Sequence, residues 1–266
     1  MTTVRKVCIL MADYGHEPTE AAVPYTAFKK AGFGVSFATE KGAAPACDKL
    51  LLEGLTQKLL GASKPVISQY NAMVASPEHQ TPLSWISPDF DLTAFDLVYL
   101  PGGHDKAVQQ IIDSPTVHKH LAQYFPLTRK HASTPASPSP AAQPKQKAIA
   151  AICHGPLVLT NTINPDTGKS VLYECKTTAL PAGFEKVAYW GTRLWLGDYY
   201  KTYGSGSEDV EVSVKKALRE KSLFQGSLLP SPFVVEDDTY NYISARFPGD
   251  IDLFSKKVVQ LVQSLQ

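Results

Sequence analysis

The run Lys147-Ala148-Ile149-Ala150-Ala151-Ile152 carries the chain without a polar break into Cys153-His154-Gly155-Pro156 and on to Leu157-Val158-Leu159. Such a run reads as a buried strand, which needs sheet neighbours on both sides. Gly155 can turn tightly and Pro156 is preset for a first helical turn, so the strand passes into a helix through an elbow. A side chain on that elbow lies at the carboxyl edge of the sheet, where open α/β sheets place their sites. Cys153 occupies it, and the positive end of the following helix favours its thiolate. An inert buried cysteine is the bland alternative. It suits Cys8, inside the first strand, whereas His154 and Gly155 point to catalysis at Cys153.

The rest of the chain supplies the neighbours. Val4 to Met11 reads as a strand and Glu17 to Ala31 as a helix, with Pro18 in its first turn, Gly32 as its stop and Pro24 expected to kink it. Phe33 to Ala38 completes a βαβ unit. Leu51, Leu55 and Leu59 predict a short amphipathic helix over Asp48 to Gly61, capped by Asp48. Ser63 to Asp91, with Pro65, Pro77, Pro82 and Pro88, reads as irregular, so an irregular insertion is expected over about 48–91. Phe95 to Leu100 is a strand ending in Pro101-Gly102-Gly103-His104, and Ser114-Pro115 opens a helix to about Tyr124.

Residues 132–144 hold no bulky apolar side chain, which predicts a mobile surface loop within about 129–146. It reads as a second insertion rather than a boundary, because the strand that follows needs partners from the first half. A helix near Glu208 to Lys221 and a hairpin around Phe233–Val235 and Tyr240–Ile243 come next. A last helix begins near Asp250, with Ile251, Phe254, Val258, Leu261 and Leu265 on one stripe. The fold class expected is α/β: one domain over 1–266, a doubly wound, mostly parallel sheet with helices on both faces and insertions.

Composition narrows the function. The 266 residues include 26 basic and 25 acidic side chains, a formal net of +1, so nucleic acid and acidic membrane surfaces are not expected partners. No apolar run approaches the ~20 residues of a membrane helix. The start, Met1 to Val7, lacks the apolar stretch of a secretory signal. Cys8, Cys47, Cys153 and Cys175 are scattered with no CxxC pair, against a zinc ribbon or disulfide scaffold. The seven histidines show no metal-ligand spacing, so neither a metal nor another cofactor is expected. A soluble protein of a reducing, cytoplasmic compartment remains.

Two further turns follow strands. Gly15-His16-Glu17-Pro18-Thr19-Glu20 brings two carboxylates to the edge that carries the elbow, if the strands are neighbours. A buried one beside a thiol is held protonated and donates to the thiolate. On pattern alone Glu17 is better read as an ordinary first-turn acid, and Glu20 is evenly balanced. Gly102-Gly103 exposes backbone amides suited to an oxyanion, although such pairs also make plain turns. The aromatic stretch Tyr189 to Tyr200, with Trp190 and Trp195, is open to three readings: the wall of a substrate pocket, a subunit contact, or ordinary packing.

The three turns in order, G-H-x-x-x-E after the first strand, P-G-G-H, and A-x-C-H-G-P at the elbow, resemble the ThiJ/PfpI superfamily. The match is spread from Val4 to Val262, outside the two insertions. It implies a flavodoxin-like fold shared with class I glutamine amidotransferases. Carried over by position, Cys153 is the nucleophile, His154 its neighbour, and Glu20 rather than Glu17 the buried carboxyl. Gly103 and the backbone of His154 are the implied oxyanion donors. The segment after Asp48 resembles the larger, chaperone-and-glyoxalase branch. That branch carries an acidic residue where this chain has Ala182; Glu185, slightly further on, is the candidate third member, with a water or backbone carbonyl as alternatives. The resemblance implies a cofactor-independent cysteine enzyme on a small electrophilic substrate, with glyoxalase III-like conversion of methylglyoxal to lactate as the type reaction, and a homodimer. Rival readings are a hydratase or hydrolase of an amide or isocyanide on the same thiolate, and a holdase chaperone or redox-responsive protein.

Overall fold

The structure, a computed structural model, describes residues 4–54, 56–57, 61–131 and 145–265. Seven strands form one sheet: β1 (Lys6–Leu10), β2 (Gly34–Thr39), β3 (Leu83–Ser84), β4 (Leu97–Leu100), β5 (Ala148–Ile152), β6 (Val234–Glu236) and β7 (Tyr242–Ala245). Their order is β6-β7-β5-β4-β1-β2-β3, parallel throughout except for the β6–β7 hairpin. The longer helices among the described residues are α1 (Pro18–Lys30), α2 (Lys64–Val74), α3 (Pro115–Tyr124), α4 (Gly155–Asn161), α5 (Ala182–Leu196), α6 (Val210–Ala217) and α7 (Ile251–Ser264).

Strand periodicity sorts the core into two layers. Val7, Ile9, Tyr99 and Ala150 pack with Ala21, Phe28, Met73, Phe254 and Val258 of α1, α2 and α7. Cys8, Leu10, Val98 and Ala151 pack with Val117, Leu121, Leu157 and Val214 of α3, α4 and α6. Helices thus cover both faces, as the doubly wound, flavodoxin-like reading requires. β1 has β2 on one flank and β4 on the other, so successive connections leave the β1–β4 boundary in opposite directions. A crevice opens at the carboxyl ends of the strands there. The turns after β1, β4 and β5 all emerge at that edge.

Several local expectations need correction. The excursion read as irregular contains α2, which begins at Ser63, holds Pro65 in its first turn and buries Tyr70 and Met73. Proline counting misled because proline is tolerated at a helix start. Asp48 does cap, accepting the Leu50 amide at 3.0 Å, over a 3-10 turn, Lys49–Leu51, and Gly54, Thr56 and Gln57 further along the expected span are helical. Leu55, Leu59 and the loop 132–144 lie outside the described residues. α1 runs unbroken through Pro24. The amide that proline lacks would have served the Glu20 carbonyl four residues back, and the buried Tyr99 hydroxyl donates to it instead at 2.6 Å. On α7 the buried stripe is Ile251, Phe254, Val258 and Val262, with Leu265 closing it.

One buried ion pair ties β7 to α7 beside the crevice. Arg246 and Asp250 are both fully buried, and the guanidinium grips the carboxylate through Nε at 2.9 Å and Nη2 at 2.7 Å. Its remaining donors reach the carbonyls of Ser227, Leu229 and Ser231, while Asp250 also accepts the amides of Arg246 and Phe233. Breaking such a pair leaves an uncompensated buried charge, at a cost of about 3–5 kcal/mol. Asp250→Ala is therefore expected to lower stability by that amount in urea unfolding, and a loss under about 1 kcal/mol would show the pair to be dispensable.

Candidate active site

Cys153 stands where β5 ends, held by two backbone bonds. Its amide donates to the Ala245 carbonyl at 3.2 Å, and its carbonyl accepts the Leu180 amide at 3.2 Å. Its φ of 61° is the one positive value at a non-glycine among the described residues. That conformation costs on the order of 1–3 kcal/mol and persists because the surroundings impose it. The turn next to it has no spare room: a Cβ on Gly155 would lie 2.3 Å from the Leu100 carbonyl oxygen of β4. The elbow is thus pressed against its neighbouring strand, and only glycine allows that approach.

Glu20 closes the site from α1. Its side chain is fully buried, and Oε2 accepts the Gly102 amide at 2.8 Å. Oε1 is buried without a hydrogen-bond partner, and the carboxyl lies close enough to the Cys153 side chain for each to act on the other's titration. Burial, then the neighbouring Glu17 carboxylate, pushes the Glu20 carboxyl well above the usual carboxylate range. That shift favours the protonated form, which can donate a hydrogen bond. Burial and the two carboxylates also push the Cys153 thiol up. Holding the proton on Glu20 removes one of those charges and replaces it with a hydrogen-bond donor, while the His154 amide favours the thiolate directly. His154 places Nδ1 3.3 Å from the sulfur, and burial, with His104 and Lys201 nearby, lowers its imidazole to about 3. The ring is neutral and a weak base, placed to accept a hydrogen bond from the thiol.

Glu17 is more than a first-turn acid. It is the N-cap of α1, accepting the Glu20 amide at 2.6 Å and the Thr19 hydroxyl at 2.9 Å, and it faces the same cavity as Cys153. Burial raises it to about 7.

The cavity over the sulfur measures about 310 Å³. Glu17, Glu20, Gly103, His104, Cys153 and His154 form its polar part, while Leu180, Phe184, Val187, Tyr200 and Phe247 make most of its wall. The structure thus brings Cys153, His154, Glu20 and Gly103 together as the sequence implied. It does not bring in the tryptophans: Trp190 and Trp195 sit on the outer face of α5, 63% and 56% exposed, while Phe184 and Ala188 of that helix line the cavity, with the exposed Val187 at its rim. Their spacing along the helix decides this, a property the count of aromatics did not carry. Glu185 lines the cavity but is spoken for. Its oxygens accept Lys201 Nζ and the Val210 amide at the start of α6, each at 2.9 Å, so it is not the hydrogen-bonded third member for His154. The Ala182 amide is bound to Glu211. His104 went unweighed although it stands in the P-G-G-H motif, and Tyr200 was hidden in the aromatic run. Among the described residues no group of three or more His, Cys, Asp or Glu is placed to hold a metal ion. No helix among them is long and apolar enough to cross a membrane.

Glu17 sets a pH dependence. Its folded value, about 7, lies above its ordinary value near 4.5, so the folded state keeps a proton that the unfolded chain has released. Glu17's contribution to stability should decline as pH rises from about 4.5 to about 7, and Glu17→Gln, which retains an acceptor for the helix cap, should remove it, so the stability of wild type relative to the variant should fall across that window. Unfolding midpoints across the window check this.

Gly102 sets a packing limit. A Cβ there would lie 2.7 Å from Cys153 Cβ and the His154 amide, and 2.8 Å from Glu20 Oε2. Gly102→Ala should displace the carboxyl from the sulfur and change the rate of Cys153 labelling by iodoacetamide at least severalfold. Unchanged labelling would show that the turn gives way elsewhere.

The comparisons follow from this geometry. A family model described as ThiJ/PfpI family-like matches residues 11–225. An uncharacterized protein of Schizosaccharomyces pombe is 28% identical over 263 residues, 97% of this chain and 84% of that protein. The glutathione-independent glyoxalase hsp3102 of the same yeast is 29% identical over 174 residues, 64% of this chain and 61% of that protein. Glyoxalase III from Candida albicans superposes with a TM-score of 0.66 at 16% identity, covering 97% of each chain, a likeness of fold.

Proposed function

The chain belongs to the ThiJ/PfpI-like family, and from that premise we propose that it is a cofactor-independent cysteine enzyme converting methylglyoxal to lactate. The observation that carries the reading is the meeting of Cys153, with His154 Nδ1 3.3 Å from its sulfur, and the fully buried Glu20 carboxyl at one wall of a small, mostly apolar cavity. A name supports it too, since one relative is a glutathione-independent glyoxalase.

The chemistry follows the proton. The thiol gives its proton to His154 Nδ1 while sulfur adds to the aldehyde carbon, forming a hemithioacetal. The carbonyl electron pair moves onto oxygen, beside the amides of Gly103 and His154, and takes the Glu20 proton. Glu20, now a carboxylate, removes the hydrogen from that carbon, leaving an enediolate across the two carbons. It returns the proton to the second carbon as the hydroxyl proton passes to the second oxygen, giving a lactoyl thioester. Water cleaves the thioester to lactate and thiol, and the proton on His154 restores Glu20. The apolar wall holds water away from the enediolate. The same arrangement weighs against a hydrolase with a full triad, because the carboxylate of Glu185 is engaged by Lys201 and α6. A cytoplasmic setting fits four free cysteines.

Methylglyoxal loss with matched lactate appearance tests the reading. Cys153→Ala should abolish it, and Glu20→Gln should lower kcat/KM about 10²-fold or more while leaving Cys153 open to iodoacetamide. Equal rates in wild type and Cys153→Ala would remove the proposal, and turnover of amides or isocyanides but not aldehydes would replace it with the hydratase reading.

A further inference from the structure

His104 is a buried polar side chain that the mechanism above does not use. It follows the Gly102-Gly103 turn, is 9% exposed, and faces the same cavity as Cys153 and His154. Its ring is clamped, stacked on Tyr200 at 4.4 Å and 24° and met edge-on by Tyr199 at 4.5 Å and 90°. Its carbonyl accepts the Thr202 hydroxyl at 3.0 Å, which anchors the backbone as well. Yet Nε2 is buried with no hydrogen-bond partner. The nearest carboxylate oxygen, Asp48 Oδ2, is 3.8 Å away, too far for a direct bond, and already accepts the Tyr199 hydroxyl.

A buried ring nitrogen without a protein partner costs stability unless another polar group bonds to it. Burial lowers His104 to about 3, so the ring is neutral, and the acceptor oxygen of Asp48 on the Nε2 side, 3.8 Å away, suits the tautomer with hydrogen on Nε2. We propose that His104 Nε2–H donates to the second oxygen of the substrate, the one on the carbon next to the aldehyde. It thereby selects carbonyl compounds that carry a vicinal oxygen.

This rests on the reading of Cys153 as the nucleophile. With the aldehyde carbon at the sulfur and its oxygen at Gly103 and His154, the neighbouring ketone oxygen is the group left without a partner. A neutral imidazole is well matched to it, polarising the ketone without surrendering a proton and becoming a stronger partner as charge develops in the enediolate. An aldehyde with no second oxygen leaves Nε2 unpaired and so binds less well.

The experiment measures protection of Cys153 from iodoacetamide by methylglyoxal and by propanal, a readout that needs adduct formation but no turnover. The ratio of half-protecting concentrations is compared between wild type and His104→Phe, which keeps the stack on Tyr200 and removes the nitrogen. The substitution is expected to weaken protection by methylglyoxal about tenfold, leave propanal unchanged, and lower kcat/KM for methylglyoxal at least as much. His104→Asn, which restores an N–H, should recover part of the ratio; if the phenylalanine variant does not fold, His104→Met makes the same comparison. A ratio equal to that of wild type in a folded apolar variant overturns the assignment. Wild-type protection without lactate formation would instead remove the glyoxalase reading and leave the role of His104 to be decided by the ratio.

Discussion

A carboxyl group with no exposed surface, beside a second acidic side chain, resists ionisation, and Glu20 is in that position. That preference for the proton is the constraint on which the proposed chemistry depends. An ionised acid there would repel a thiolate, whereas a protonated one can donate to it. Each neighbouring feature serves to hold Glu20 in place. Glu17 caps its helix and bonds its amide, the Gly102 amide takes one carboxyl oxygen, and Tyr99 occupies the carbonyl that Pro24 leaves without a helical partner.

The sulfur is held by equally close packing. Cys153 adopts a left-handed backbone at a point fixed by Ala245 on one side and Leu180 on the other. Gly155 lets the elbow lie against β4, and Gly102 lets the β4 turn lie against both sulfur and carboxyl. The two glycines are therefore one device: they remove side chains from the contact between adjacent strand ends, so that groups from three turns come within reach of one another. The strain at Cys153 is stored in that contact, and the buried Arg246–Asp250 pair anchors the segment that brings Phe247 and Pro248 to the cavity.

Much of this was legible in residue order. β5 reads directly from five apolar residues in a row, and the elbow from Gly155-Pro156, because strand burial and turn chemistry are local properties. Cys153, His154, Glu20 and Gly103 were named from three short motifs, and they do meet. The failures have a common cause. α2 was missed because prolines at helix starts look like breakers, and the tryptophans were overvalued because aromatic content says nothing of which helix face looks inward. Glu185 was a fair candidate by distance along the chain, but Lys201 and the start of α6, which claim it, come from separate segments. His104 and Tyr200 stack only because two loops nearly a hundred residues apart fold over one cavity.

By itself, then, the amino-acid sequence determined the class of fold, the strand-to-helix elbow and the place of Cys153 on it, since each is written within a few consecutive residues. Tertiary structure alone decided which carboxyls are buried enough to favour a proton, which acid is tied up elsewhere, and which imidazole lines the cavity with an unpartnered nitrogen. Those outcomes depend on burial and on long-range partners, and a charge or a hydrogen bond is settled by what surrounds it in space rather than by what adjoins it in the chain.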